Sequence, residues 1–171
     1  MHPPLLSALQ AFERGLLPKG TQLFHGSRAQ GPNTDPAARI LIGTRKWLSQ
    51  SAEYATSYAY YDDGRDLGSR LLWVCNLTTD VPYIRGHQAS LVSASPWSNA
   101  FPFNFPNAFG AYASKIIPGG GPRALVDHEE DGRFKEVLLT EPKLALCVVD
   151  VLELPESKAG AEQLAREQFR C

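Results

Sequence analysis

Three short segments of this sequence carry the residue types that chemistry on a bound ligand requires. The first is His-Gly-Ser-Arg at 25–28, the second is Trp-Leu-Ser-Gln-Ser-Ala-Glu-Tyr-Ala at 47–55, and the third is Phe-Lys-Glu-Val-Leu-Leu at 134–139. A carboxylate can stabilise a developing positive charge, a histidine can anchor a hydroxyl group, and an aromatic face can stack on a planar ring. The three segments together predict a nucleotide site.

Taken in this order, the segments resemble the three-part signature of the ADP-ribosyltransferase superfamily. The similarity is to the poly(ADP-ribose) polymerase branch, with its diphtheria-toxin-type His-Tyr-Glu triad, and it spans roughly residues 21–154. The resemblance implies an enzyme that takes NAD as its substrate and cleaves the bond between nicotinamide and ribose. Nicotinamide leaves as a neutral group while the sugar becomes cation-like, so the protein must mainly supply position and charge.

The resemblance implies roles for four residues of the first and third segments. His25 corresponds to the histidine that holds the adenosine ribose. Gly26 corresponds to the glycine whose backbone grips the nicotinamide amide, and Ser27 continues that motif. Glu136 corresponds to the catalytic glutamate, which holds the 2′-hydroxyl of the nicotinamide ribose and stabilises the transition state. His25 and Glu136 are therefore the expected catalytic pair.

The second segment matches the Ser-Ala-Asn-Tyr stretch of the polymerases. This match implies that Ser51 binds the nicotinamide amide and that Tyr54 is the stacking ring. The polymerases have a triad tyrosine just before the helix, where this chain has Trp47, which could stack in its place. Phe134 stands two residues before the glutamate, where arginine-modifying relatives carry Glu or Gln. Arginine is therefore disfavoured as the acceptor.

Several functions remain open on this signature. Transfer of a single ADP-ribose unit is favoured over polymer growth, because no extended acceptor platform is recognisable. A protein acceptor is expected, and a nucleic acid or a small molecule stays open. The alternatives are an NAD glycohydrolase, with water as acceptor, and a non-catalytic NAD or ADP-ribose binding module whose triad has decayed at Trp47. RNA 2′-phosphotransferase is disfavoured, since only Arg28, Arg39 and Arg45 lie near the first segment.

A metal site is not expected. The run His-Glu-Glu-Asp at 128–131 contains suitable donors, but no second histidine follows at ligand spacing. An acidic, solvated loop is the favoured interpretation of these four residues.

Composition favours one domain over the whole chain, residues 1–171. Of these residues 43% are hydrophobic and 20% are charged, and the net charge of −1 provides no global field for nucleic acid or an anionic membrane. No window reaches the length of a membrane span, and no signal peptide is recognisable. We therefore expect no membrane partner and a cytoplasmic protein that could act as a monomer. A compact bacterial or phage effector or toxin, delivered into a target cell without a cleavable signal, would share these features.

The spacing of apolar residues, together with Gly and Pro at turns, predicts the helices and strands that must position the three segments. The first half should form a helix at 3–17, a strand at 21–24 with His25 at its end, a helix from Ser49 or Ser51 to about 61, and a central strand at 70–77. Residues 93–122, rich in Pro, Gly and aromatic residues, predict a lid or a binding loop.

The last third of the chain should form a strand pair followed by a helix. The strands are expected at 137–139 and 144–154, with Glu136 at the start of the first and a turn at 141–143, and the helix at about 158–170. Cys75 and Cys147 should be buried, reduced thiols. The element order predicts an α+β fold with a mainly antiparallel core over residues 21–154. The resemblance implies the ADP-ribosyltransferase-like form, in which two small sheets and flanking helices form an NAD cleft.

Overall fold

The computed structural model describes residues 13–28, 45–61, 68–85 and 117–169, which contain eight strands and three helices. In chain order the elements are β1 (Arg14–Leu17), β2 (Gln22–Arg28), β3 (Arg45–Leu48), α1 (Ala52–Tyr58), β4 (Arg70–Leu77), β5 (Val81–Arg85), β6 (Ala124–Glu130), β7 (Arg133–Thr140), α2 (Pro142–Ala145), β8 (Leu146–Glu153) and α3 (Lys158–Gln168). None of these helices combines the length and the apolar character that crossing a membrane would require.

The strands form two sheets. The larger has the order β1-β5-β6-β7-β3 and the smaller the order β2-β4-β8. All neighbouring strands are antiparallel except β5 and β6, which run parallel. The predicted α+β class, with two small and mainly antiparallel sheets, is confirmed at this level.

Strand β4 shows why the two sheets pack together. Its odd-numbered residues from Leu71 to Leu77 enter a core shared with the larger sheet, and its even-numbered residues Leu72 and Val74 enter a second core against α1 and α3. Successive side chains of a strand point to opposite faces, so a strand buried on both faces is apolar almost throughout. The mostly apolar run at 70–77 therefore predicted the central strand correctly.

The two sheets are linked at one isolated bridge. The Phe24 N–H donates to the Ser49 carbonyl at 2.7 Å, and the Ser49 N–H donates back to the Phe24 carbonyl at 2.9 Å. Strands β2 and β3 do not pair beyond this point. Beyond this point the outer edge of β2 has no strand partner among the described residues.

The helix predicted at 3–17 is wrong at its end. Residues Arg14–Leu17 form β1, which pairs antiparallel with β5. Leu17 is buried whereas Leu16 is 54% exposed, so the exposure alternates as in a strand. The part of the prediction covering residues 3–12 lies outside the described residues.

The predicted strand pair near the C-terminus is also wrong. Strands β7 and β8 belong to different sheets, because the short helix α2 carries the chain from the larger sheet to the smaller. Glu136 is the fourth residue of β7 and does not begin it. Likewise, β2 continues to Arg28, so that His25 lies within the strand and not at its end. Cys147 is exposed, in contrast to the buried Cys75.

The remaining predictions have mixed outcomes. The terminal helix expected at about 158–170 is confirmed as α3, with Ser157 as its N-cap.

Of the loop predicted at 93–122, only residues 117–122 are described. There the chain wraps around the buried guanidinium of Arg123, which donates to the Ile117 carbonyl at 2.5 Å and the Gly121 carbonyl at 2.6 Å.

Candidate functional site

A cavity of about 530 Å³ opens where the two sheets diverge. Its walls come from β2, β3, α1 and β7, and its lining consists of residues 24–26, residues 47–49, Tyr54, Ala55, Tyr58 and residues 135–136. The volume lies within the range of roughly 300–1,000 Å³ that is usual for small-molecule sites. The three sequence segments, although far apart along the chain, therefore contribute to one cavity.

His25 is held in one tautomer by the neighbouring strand. Its Nδ1 lies 2.7 Å from the Trp47 carbonyl oxygen, which can only accept a hydrogen bond, so Nδ1 carries the hydrogen. Burial lowers the pKa of His25 to about 4, against a smaller raising effect of the Trp47 carbonyl. The ring is therefore neutral near pH 7, and its Nε2 is left as an acceptor for a ligand hydroxyl.

Gly26 presents its backbone to the open edge of β2. The bridge to Ser49 shows that the N–H and C=O of Phe24 point away from β4, and these groups alternate along a strand. Those of Gly26, two residues later, point the same way, where Gly26 lines the cavity. An adjacent donor and acceptor of this kind match a primary carboxamide. The glycine is also required sterically, since an added Cβ would collide with the Ala55 carbonyl oxygen.

Helix α1 brings Tyr54 to the cavity. Ser51 caps the helix, and its Oγ accepts the Tyr54 N–H at 3.2 Å, which confirms the predicted helix start. The Gln50 N–H donates to the Phe134 carbonyl at 2.9 Å, so the start of the helix is tied to β7 two residues before Glu136. Tyr54 reaches across this junction with its hydroxyl.

Glu136 is a largely buried carboxylate with an incomplete set of partners. Its Oε1 accepts the Tyr54 hydroxyl at 2.8 Å. Its Oε2 is buried and has no hydrogen-bond partner within the described parts of the chain, and His128 Nε2 lies 3.9 Å from it. Leaving a buried carboxylate oxygen without a donor is costly, and such atoms in native structures call for a specific explanation, a ligand among them.

Two further cavity residues modify its character. Trp47 is 38% exposed and belongs to the cavity lining on the β3 side. Lys135 forms an ion pair with Glu130, and its Nζ lies 5.9 Å from the centre of the Tyr54 ring. Glu130 therefore partly balances the positive charge of Lys135.

The structure does not bring Ser27 and Ser51 to this cavity. The Ser27 Oγ accepts the Trp73 indole N–H at 2.9 Å and so serves the packing of the small sheet. Ser51 lines a second cavity of about 320 Å³, together with Glu53, Arg133 and Arg166. Its Oγ is engaged as the cap of α1.

The described residues include one group that could hold a cation, and sequence reasoning did not find it. One donor atom from each of Asp127, His128 and Glu136 lies within 4.8 Å of the others. From the sequence, the only candidate partners of His128 in a metal site were its neighbours along the chain, Glu129, Glu130 and Asp131. Asp127 and Glu136 instead face each other across β6 and β7, which only the strand register could reveal.

Tyr58 is a cavity residue that sequence reasoning missed. The residue is 52% exposed and lines the cavity. Its hydroxyl lies 3.1 Å from that of Tyr54. The signal was present in the sequence, since residues four apart lie on the same side of a helix.

Comparison with known proteins assigns no family to this chain. No model of a protein family matches the sequence, and a search of curated proteins found no match.

Proposed function

We propose that this chain is a mono-ADP-ribosyltransferase, which cleaves NAD and transfers ADP-ribose to a macromolecular acceptor. The observation that carries the proposal is the shared cavity: His25, Gly26, Tyr54 and Glu136 all line it. The three-segment resemblance implies a role in NAD binding or cleavage for each of these four residues. We propose the ADP-ribosyltransferase-like fold on the same ground, supported by the two small antiparallel sheets and the cleft between them.

Each of the two proposed catalytic residues has a distinct task in this reaction. A neutral His25 offers Nε2 to a ribose hydroxyl, while its Nδ1–H is fixed by Trp47. Glu136 offers a carboxylate to the ribose that becomes cation-like as nicotinamide leaves, and charge stabilisation in a shielded site is worth more than in water. The hydroxyl of Tyr54 keeps that carboxylate in one place.

The nicotinamide end of NAD would bind at the open edge of β2. Its carboxamide can accept from the Gly26 N–H and donate to the Gly26 carbonyl, while the aromatic surfaces of Trp47 and Tyr54 flank the ring. The proposal needs no metal. A protein side chain is the acceptor that we favour, and nucleic acid and small molecules are the other classes to test.

The deciding experiment follows nicotinamide release from NAD by the purified protein and by Glu136→Ala. We expect the substitution to lower the rate at least about 100-fold, because the charge that stabilises the transition state is lost. Glu129→Ala is the matched control. Glu129 lies on β6 and is ion-paired with Arg85 at 2.7 Å, so its loss should leave the rate within about two-fold.

The products and the binding of NAD separate the alternatives. Free ADP-ribose as the sole product would indicate a glycohydrolase, whereas label retained on an added acceptor supports the transferase. Binding of NAD without release by the unaltered protein would indicate a binding module. No binding at all would overturn the proposal.

A further inference from the structure

A hydrogen-bonded chain of two tyrosines leads from the cavity mouth to Glu136. The Tyr54 hydroxyl lies 2.8 Å from Glu136 Oε1 and 3.1 Å from the Tyr58 hydroxyl. A phenol has a single hydrogen, and an ionised carboxylate can only accept, so the hydrogen of Tyr54 goes to Glu136. Tyr58 must then be the donor to Tyr54. The direction of the chain is therefore Tyr58 to Tyr54 to Glu136.

The environment favours this direction. Burial raises the pKa of Tyr54 above its ordinary value, and its bonds to Tyr58 and Glu136 add to that effect. Tyr54 therefore remains a protonated donor. Consecutive hydrogen bonds polarise one another, so the Tyr58 hydroxyl should strengthen the bond that Tyr54 makes to the carboxylate.

Few side chains contact the Glu136 carboxylate among the described residues. No Lys or Arg within the described ranges forms an ion pair with it, and within those ranges its hydrogen-bond donor is the Tyr54 hydroxyl. The rings of Tyr54 and Tyr58 pack edge to face, with centroids 5.5 Å apart and planes at 76°. The two hydroxyl groups at the ends of these rings are 3.1 Å apart.

We propose that Tyr58 is a positioning residue, which acts through Tyr54 to hold the Glu136 carboxylate in its reactive orientation. The catalytic part of this inference rests on the proposed NAD cleavage. The positioning part does not, because it can be read from the carboxylate alone. Tyr58 takes this place from a half-exposed position on α1, one helical turn beyond Tyr54.

The test measures the titration of the Glu136 side-chain carboxyl by carbon-13 NMR, with the signal assigned by Glu136→Gln. Removing a donor to a carboxylate destabilises its charged form, so the apparent pKa should rise by about half a unit in Tyr58→Phe and by about one unit in Tyr54→Phe. His128 and Asp127, which also lie near the carboxylate, are unchanged in both variants. Lys135, above the Tyr54 ring, is unchanged as well.

Tyr61→Phe is the matched control, since Tyr61 follows the same helix and is 80% exposed. We expect no shift in this variant. A Tyr58→Phe titration that coincides with that of Tyr61→Phe would overturn the proposal. Because Tyr58 is on the surface, loss of its hydroxyl should not unfold the protein, and Tyr54→Phe provides a second, independent step in the chain.

Turnover of NAD then tests the catalytic part. Tyr58→Phe should lower kcat about five-fold and leave KM unchanged, since the carboxylate acts in the transition state. A shifted titration with an unchanged kcat would overturn the catalytic part. If the unaltered protein does not cleave NAD, the proposed function fails, while the carboxyl titration still decides whether Tyr58 acts on Glu136.

Discussion

His25 lines the same cavity as Glu136, and His128 lies beside that carboxylate, but the two histidines are in opposite environments. His25 is inside β2, bound through Nδ1 to a backbone carbonyl, with its pKa lowered to about 4 by burial. His128 is 47% exposed on β6, with its Nε2 3.8 Å from Asp127 and 3.9 Å from Glu136. Packing thus makes the His25 ring a neutral acceptor, whereas the His128 ring is half-exposed and faces two carboxylates.

The largest predicted difference between the two histidines is in NAD cleavage. His25→Ala should lower kcat/KM about 100-fold, because the ribose loses its acceptor and the Trp47 carbonyl loses its donor. His128→Ala should lower it less than about three-fold, since its carboxylate contacts are long and partly solvated. The measurement is nicotinamide release, after circular dichroism has established that both variants fold.

Equal losses in the two variants would contradict this division of roles. A larger loss for His128→Ala would invert it, and would move the functional centre from the β2 edge to the β6–β7 hairpin.

The second prediction concerns stability as a function of pH. In the unfolded chain His25 has its ordinary pKa of about 6.5, whereas in the folded protein this pKa is about 4. Between these pH values the unfolded state therefore binds more protons than the folded state. The free energy of unfolding should therefore fall as the pH is lowered from 6.5 to 4. We expect the contribution of His25 to be about 1–2 kcal/mol, less than the full shift would give because the ring is only partly buried.

Urea unfolding at pH 7.0, 5.5 and 4.5 measures this effect. The decline should become smaller in His25→Gln and persist in His128→Gln. A decline of unchanged size in His25→Gln would mean that the burial of this ring does not control its protonation.

Local signals explain what the sequence could predict of the fold. The cap Ser51, the apolar run at 70–77 and the periodicity of α3 each act within one element, and each prediction agrees with the structure. The errors concern pairings between distant segments. Leu16 and Leu17 fit a helical spacing, but pairing with β5 makes them strand residues of opposite exposure. Similarly, α2 separates β7 from β8 by a change of sheet that no local pattern indicates.

The same limit applies to the candidate site. Motif matching selected His25, Gly26, Trp47, Tyr54 and Glu136, and the structure gathers these five around one cavity. It could not reveal that Ser51 lines a different cavity, or that Asp127 faces Glu136 across two strands. Such facts depend on register and packing, which are properties of the whole fold.

The smallest expected effect is that of metal removal. The proposed chemistry uses a neutral histidine and a carboxylate, so treatment with a chelator should leave nicotinamide release within about two-fold of the untreated rate. His128→Gln should respond to chelation in the same way as the unaltered protein. Loss of activity on chelation, with recovery on addition of zinc and no recovery in His128→Gln, would make Asp127, His128 and Glu136 a metal centre. His128 would then be the functional histidine of the pair, and the carboxylate of Glu136 would bind a metal ion and not the ribose.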